Sequence, residues 1–335
     1  IFDIPKINYK GLTVFDIKLT LDNETRSQKG EVELKVFSSI NLQLEEKTPE
    51  QIVNESLDSP EIIYWLADNV SGLNDKVEKL ERLRRVLDKK NQENRNGNLS
   101  DEEKGILLEK EKEKNNLEVD ITQDIKRSFI QGAIIYEGKE RKLDGRIQDI
   151  VAIFRDKAEE VIPKLYHQLS LADVKSSEED ILDIFEKNLG TAAHAYKNLK
   201  ILDEHNHVNV NAPVAQEVLK TIKSKINFGQ STTGKDLIEH FSKRPYGWNN
   251  VVLRMVLATL FRNGSVIAIY QQRNYQDYTE IGAKDIFRVV STFKNTRFEE
   301  AGQSDLTPEQ RNKCRSLVDE IFDERVADTP DSLSR

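Results

Sequence analysis

The sequence predicts a mainly α chain with small β elements, an α+β protein of several parts, and three observations carry that expectation. Of 335 residues, 37% are apolar and 32% charged, too apolar for a disordered chain and too charged for one large core. A hydroxyl residue precedes proline at Thr48-Pro49, Ser59-Pro60 and Thr307-Pro308, which reads three times as a helix start, a capping oxygen followed by a residue without the orphan N–H. Apolar and polar residues alternate only over short stretches, so strands should be few.

In chain order, Leu12, Val14, Ile17, Leu19 and Leu21 nearly alternate with polar residues, and Val32, Leu34 and Val36 alternate strictly after a polar turn ending at Gly30. That predicts an N-terminal β-hairpin within 1–47. Thr48 with Gln51 has capping-box spacing and opens a second segment, 48–145. Inside it, residues 73–127 hold 14 acidic and 14 basic side chains, a balance that suits a solvated helical arm. Leu73, Val77, Leu80, Leu83 and Leu87 form one seam, and Leu117, Ile121, Ile125 and Phe129 another. Folded back near Gly97, with Ser100 and Glu103 capping the return, the two make a long antiparallel helical hairpin, coiled-coil-like in its seams. Leu87 should then meet Leu107, Val77 meet Leu117, and Leu73 meet Ile121. A short hairpin around Gly138 closes the segment.

A helical domain is expected over 146–228, with Ile150, Ile153, Phe154, Val161, Leu165 and Leu169 at helical spacing and Ser176 with Glu179 as a further cap. The remainder divides into a unit at 229–300 and a C-terminal helix at 301–335. No stretch approaches the ~18 uncharged apolar residues of a membrane span. The single cysteine, Cys314, excludes an internal disulfide and fits a reducing, cytoplasmic setting. The chain starts at Ile1, and its one methionine is Met255, so it reads as a piece of something longer.

Motifs for chemistry are weak. GQSTTGKD (229–236) imitates a phosphate loop but carries Asp236 where magnesium needs a hydroxyl, and a helix-like stretch precedes it. Thr232 or Thr233 is better read as a helix cap. DEHNH (203–207) offers two imidazoles and two carboxylates, yet histidines two apart in a polar turn do not converge on one ion. No nucleophile motif is present, and neither a catalytic residue, a metal nor a cofactor is expected.

Residues 234–299 are the most informative. A helix through Leu237 and Phe241, the turn RPYGW (244–248), an apolar helix from Asn249 or Asn250 to Phe261, and strands at Val266–Tyr270 and Tyr275–Thr279 follow the order of a winged helix. Over 241–299 nine cations face four acids, so +5 sits on a chain of −8 overall. This suggests phosphate-backbone contact through Arg244, Arg254, Arg262 and Arg273. The second helix lacks donors and acceptors for base edges, so such contact would ignore sequence. Tyr246 and Trp248 are expected as structural anchors, Trp248 buried between the two helices.

With RPYGW, LATLFRNG (257–264), ESLDSPEIIYWLADN (55–69) and the charged stretch ILLEKEKEK (106–114), the chain resembles the large P-loop protein of bacteriophage-exclusion (BREX) defence systems, the BrxC/PglY type, over about 50–300. The resemblance implies a downstream, non-catalytic segment of a long ATPase that works beside a DNA methyltransferase and a phosphatase-like protein. Its role would be a scaffold with a partner surface, or with non-specific DNA contact. These matching blocks carry no catalytic residue, and the family's nucleotide site has no counterpart here. A stand-alone winged-helix DNA-binding regulator is the alternative.

Overall fold

The computed structural model describes residues 6–44, 47–95, 100–147, 149–301 and 317. Two compact units form, the first built mainly of Phe15–Ile162 and the second mainly of the chain from Pro163 onward, with Asn8–Val14 counted in the second.

A seven-stranded sheet organises the first unit. Its strands are β1 (Lys6–Tyr9), β2 (Thr13–Leu21), β3 (Glu24–Ser27), β4 (Val32–Phe37), β5 (Ile62–Leu66), β6 (Ala133–Tyr136) and β7 (Lys139–Lys142). They run in the order β1-β2-β4-β5-β6-β7, with β3 paired to β2 off that path. β2, β4 and β5 are parallel, and β5, β6 and β7 antiparallel. The expected hairpin of the first two alternating runs is therefore corrected. Asp22 and Asn23 adopt left-handed φ of 47° and 65° and turn β2 into the short partner β3, while β4 returns parallel to β2. Alternation specifies which face of a strand is buried, not the direction of its neighbour.

A second correction concerns Ser59-Pro60, which opens no helix. Ile62 to Leu66 form β5, buried at all five positions. A strand covered on both faces loses its alternation, and periodicity then cannot separate it from a buried helix. Trp65 is fully buried in β5, and its indole N–H donates to the Phe129 carbonyl at 3.0 Å. Gly132 is required beside it, because a Cβ there would lie 2.0 Å from the Leu66 carbonyl oxygen. The chain is accordingly mixed α/β, not mainly α with minor strands.

Helix α1 (Ser39–Leu44) follows β4, and α2 (Pro49–Leu57) packs on the sheet. The Thr48–Gln51 capping box of α2 is formed in both directions. Ile52 joins Phe37, Ile62, Tyr64, Leu66 and Ile135 in one apolar cluster. From the sheet the hairpin of α3 (Leu73–Arg95) and α4 (Asp101–Ile130) extends, as the two seams predict. Leu73, Leu80 and Ile121 cluster with Val77, Leu117 and Ile125, and Leu87 packs on Leu107. Ser100 and Glu103 cap α4 reciprocally, whereas Gly97 lies outside the described residues. Lys76 to Asp124 and Arg84 to Glu118 pair across the hairpin at 2.5 and 3.0 Å. β6 and β7 turn at Glu137 and Gly138, and α5 (Ile150–Leu165) leads into the second unit.

The expected helical block is interrupted. Between Leu165 and Pro213 the chain makes three 3-10 turns, Leu169–Leu171, Asp180–Phe185 and Leu189–Thr191, and one short helix, α6 (His194–Asn198). Ser176 caps nothing here. Instead the Asp180 carboxylate accepts from the Ser177 N–H. Then follow α7 (Pro213–Asn227), α8 (Gly234–Ser242), α9 (Asn250–Arg262), β8 (Val266–Tyr270), β9 (Arg273–Tyr275), α10 (Ala283–Arg288), α11 (Val290–Asn295) and β10 (Arg297–Glu300). β8 lies between β10 and β9, both antiparallel to it. The second hairpin strand thus begins at Arg273, earlier than expected, because Gln271 and Gln272 form a tight turn with φ of 49° and 64°. Of the proposed C-terminal helix only Leu317 is described, so Thr307-Pro308 and Cys314 lie outside the described residues.

Candidate nucleic-acid interface

Helices α8 and α9 hold the positions that would meet DNA in a helix-turn-helix. Thr233 starts α8 and forms a reciprocal capping box with Asp236. Ser231 also donates to the Asp236 carboxylate at 2.5 Å, and the hydroxyls of Ser231 and Thr233 hold it below the usual carboxylate range. The phosphate-loop lookalike is therefore a helix cap preceded by the helix α7. Its glycine serves packing, since a Cβ on Gly234 would come within 2.1 Å of the Phe293 carbonyl oxygen.

The turn from α8 to α9 is aromatic. Trp248 is buried and stacks on Phe241 with centroids 4.5 Å apart and planes 9° from parallel. Its indole N–H donates to the Gln168 carbonyl at 3.0 Å. Tyr246 meets Trp248 edge-on, and its hydroxyl donates to Glu217 at 2.6 Å. Burial, reinforced by Glu217, pushes that phenol up to about 12. Asn249 caps α9 by accepting from the Val251 N–H.

From Val252 to Arg262 every residue of α9 is buried. Arg254 and Arg262, expected to reach phosphate, are both 0% exposed, and that expectation is corrected. The Arg254 guanidinium donates to the Phe287 and Arg288 carbonyls and pairs with Glu178. Arg262 donates to the carbonyls of Ile184 and Glu186 and lies over the Tyr278 ring, 4.4 Å from its centroid. Two buried forks thus tie the 178–186 turn and α10 to α9. The sequence signal was available, for a cation with apolar neighbours on every side of its helix has no solvent face to occupy.

The +5 count also dissolves in space, because acids from outside 241–299 enter the site. Lys243 pairs with Glu239 at 2.7 Å, Lys284 with Glu186 at 3.5 Å and Arg254 with Glu178. Arg273 pairs with Glu280 at 3.1 Å and covers Tyr275, while Arg288 and Arg297 meet Asp285 and Glu299. Arg244 and Arg273 are exposed. Arg244 lines an open polar hollow of about 280 Å³ with Lys225, His240 and Lys243, which Asp236 and Glu239 also border. No sequence spacing announced this grouping, since α7 and α8 contribute it jointly. Desolvation and then Lys225 lower the His240 pKa below 6.5, with Glu217 opposing.

At DEHNH, Asp203 Oδ1 accepts from the backbone N–H groups of His205 and His207 and so organises the turn. Among the described residues no group of three or more His, Cys, Asp or Glu is placed to hold a metal ion. No described helix is long and apolar enough to cross a membrane.

Two family models match this architecture. Residues 1–159 match the fourth domain of the BREX ATP-binding protein BrxC, described as having a six-stranded β-sheet, and residues 171–300 match the BrxC winged helix-turn-helix domain. The chain belongs to the BrxC family. The six strands of the continuous path β1 to β7 agree with the description of the BrxC fourth domain, β3 being the additional strand. The winged BrxC domain contains α8, α9 and the GQSTTGKD stretch, and neither match is to an ATPase domain. No curated protein and no solved structure matches the chain.

Proposed function

We propose that this BrxC segment is a non-catalytic scaffold of an anti-phage BREX assembly, its winged-helix domain serving as a structural and protein-facing module. The burial of α9 from Val252 to Arg262 carries this reading. A helix that reads bases lays one solvent face, furnished with donors and acceptors, in the major groove. In this domain the 3-10 turn at Asp180–Phe185 and α10 pack against α9, and α9 presents no such face. Partners on this reading are other proteins of the defence system, its methyltransferase or phosphatase-like component among them.

Non-specific phosphate contact is the second reading, now confined to Arg244 and Arg273, and the hollow shared by Arg244, Lys225 and Lys243 favours it. Retention of the chain on a pool of random duplexes, sequenced after washing at low and physiological salt, separates the readings. The scaffold predicts no retention at either salt. Low-salt retention that falls by ~0.9 log units per phosphate contact for each tenfold rise in salt, and that Arg244→Glu with Lys243→Glu weakens, would establish the second reading. Enrichment of one sequence at physiological salt would overturn both and favour the stand-alone regulator.

A further inference from the structure

Along one side of the α3–α4 hairpin runs a groove of about 570 Å³ that the hairpin's own seam does not fill. Lys79, Arg82, Leu83, Val86, Leu87 and Lys90 line it from α3, spaced three and four residues apart, so they share one helical face. Ile106, Leu107 and Lys110 face them from α4. The lining spans eleven residue steps of α3, about 16 Å or three helical turns. Val86 is 57% exposed and Ile106 53%, an unusual state for two large aliphatic side chains bordering one groove. A third helix laid along this side would cover both.

The charges on the rim state which helix fits. Four cations border the groove, Lys79, Arg82, Lys90 and Lys110, against two acids, Glu103 and Glu113. Both acids are already committed. Glu103 closes the Ser100 capping box. Glu113 is shared by Lys110 and Lys79 at 2.7 and 2.8 Å, which hold its carboxyl down to about 2. Two lysines on one carboxylate leave positive charge over. Arg82 and Lys90 pair along their own helix with Glu78 and Glu93, near-surface pairs of small net worth that exchange readily.

We infer that this groove receives an amphipathic helix of a partner protein, about three turns long, with apolar residues at i, i+3, i+4 and i+7 and acidic residues flanking them. The apolar side chains lie against Leu83, Val86, Ile106 and Leu107, and the flanking carboxylates meet the four rim cations. This deepens the scaffold reading and rests on it, but its test involves no DNA and leaves the winged domain untouched.

The probe is a synthetic 18-residue helix with leucine at the apolar positions and glutamate flanks, compared with the same peptide flanked by lysine. Fluorescence anisotropy with the full chain at low salt is expected to show at least tenfold tighter binding of the acidic peptide, a gap that narrows as salt rises. Val86→Glu with Ile106→Glu, both at exposed positions, should abolish that binding with unchanged thermal unfolding. Lys79→Glu with Lys110→Glu should reverse the preference between the peptides. Equal binding of both peptides, or of neither, would overturn the assignment. Concentration-dependent dimerisation lost in Val86→Glu would overturn it too, by giving the groove to a second copy of the chain.

Discussion

A buried guanidinium has to find an acceptor for each N–H it withdraws from water, and Arg254 finds them on two segments distant in sequence. Replacing it by methionine keeps much of the volume but strips the Phe287 and Arg288 carbonyls of their donor. Breaking such a set costs about 3 to 5 kcal/mol, to be read from the urea midpoint. Arg254→Lys should recover little, because an ammonium cannot span the fork; a near-neutral Arg254→Met would refute the clamp. His240 gives a pH prediction. Its folded pKa is lowered, so above pH 6.5 both states are neutral and nothing is lost. As pH falls through 6.5 the unfolded chain takes the proton first, and stability declines until the folded pKa is reached. The denaturation midpoint should therefore drop between pH 7 and the lowered value, and His240→Gln should flatten that part of the profile. An equal drop in both proteins would assign the acid lability elsewhere. The caps at Thr48 and Ser100 were legible in the sequence because both partners lie within three residues, and the α8 cap was legible as far as the choice between Thr232 and Thr233. The burial of Arg254 and Arg262 was signalled by their apolar helix neighbours, but which carbonyls hold them was not, because those acceptors lie 33 to 78 residues away.

Among elements, the arm was the most legible, since its seams, pairing and caps are all local or set by one fold-back. It also predicts where the hairpin opens. The cluster of Leu73, Leu80 and Ile121 anchors the sheet-proximal half, while Leu87 and Leu107 form a separate pair farther out. Opening free energy follows buried apolar contact, so trypsin should cut first among Lys89, Lys90, Lys104, Lys110 and Lys112, before Lys76 or Lys126. Initial cleavage at Lys76 would contradict this. The strands were less legible for a definite reason. β2 and β4 show the alternation expected of strands, but their parallel pairing depends on the intervening β3, and β5 shows no alternation because both its faces are covered. The turn-rich stretch from Leu165 to Pro213 supplies the two carbonyls that hold Arg262, so its irregular course helps bury α9.

At the scale of the whole molecule, charge counted along the chain and charge arranged in space disagree, and the second decides what a partner meets. The +5 window is neutralised largely by Glu178, Glu186 and Glu239, none of which lies within it. What was legible of the candidate interface was its order, two helices and a hairpin. Which of its cations face outward was decided by elements the sequence did not place beside α9. Helix α9 lies in the interior of its domain, buried from Val252 to Arg262, and offers no reading surface. Hydrogen exchange of the Val252–Phe261 amides, measured across denaturant with and without saturating random duplex at low salt, tests this most directly. These amides are expected to exchange only through unfolding of the whole winged-helix domain, with one shared denaturant slope, unchanged by DNA. Exchange of one face of α9 by local opening, with protection of that same face when duplex is added, would contradict it.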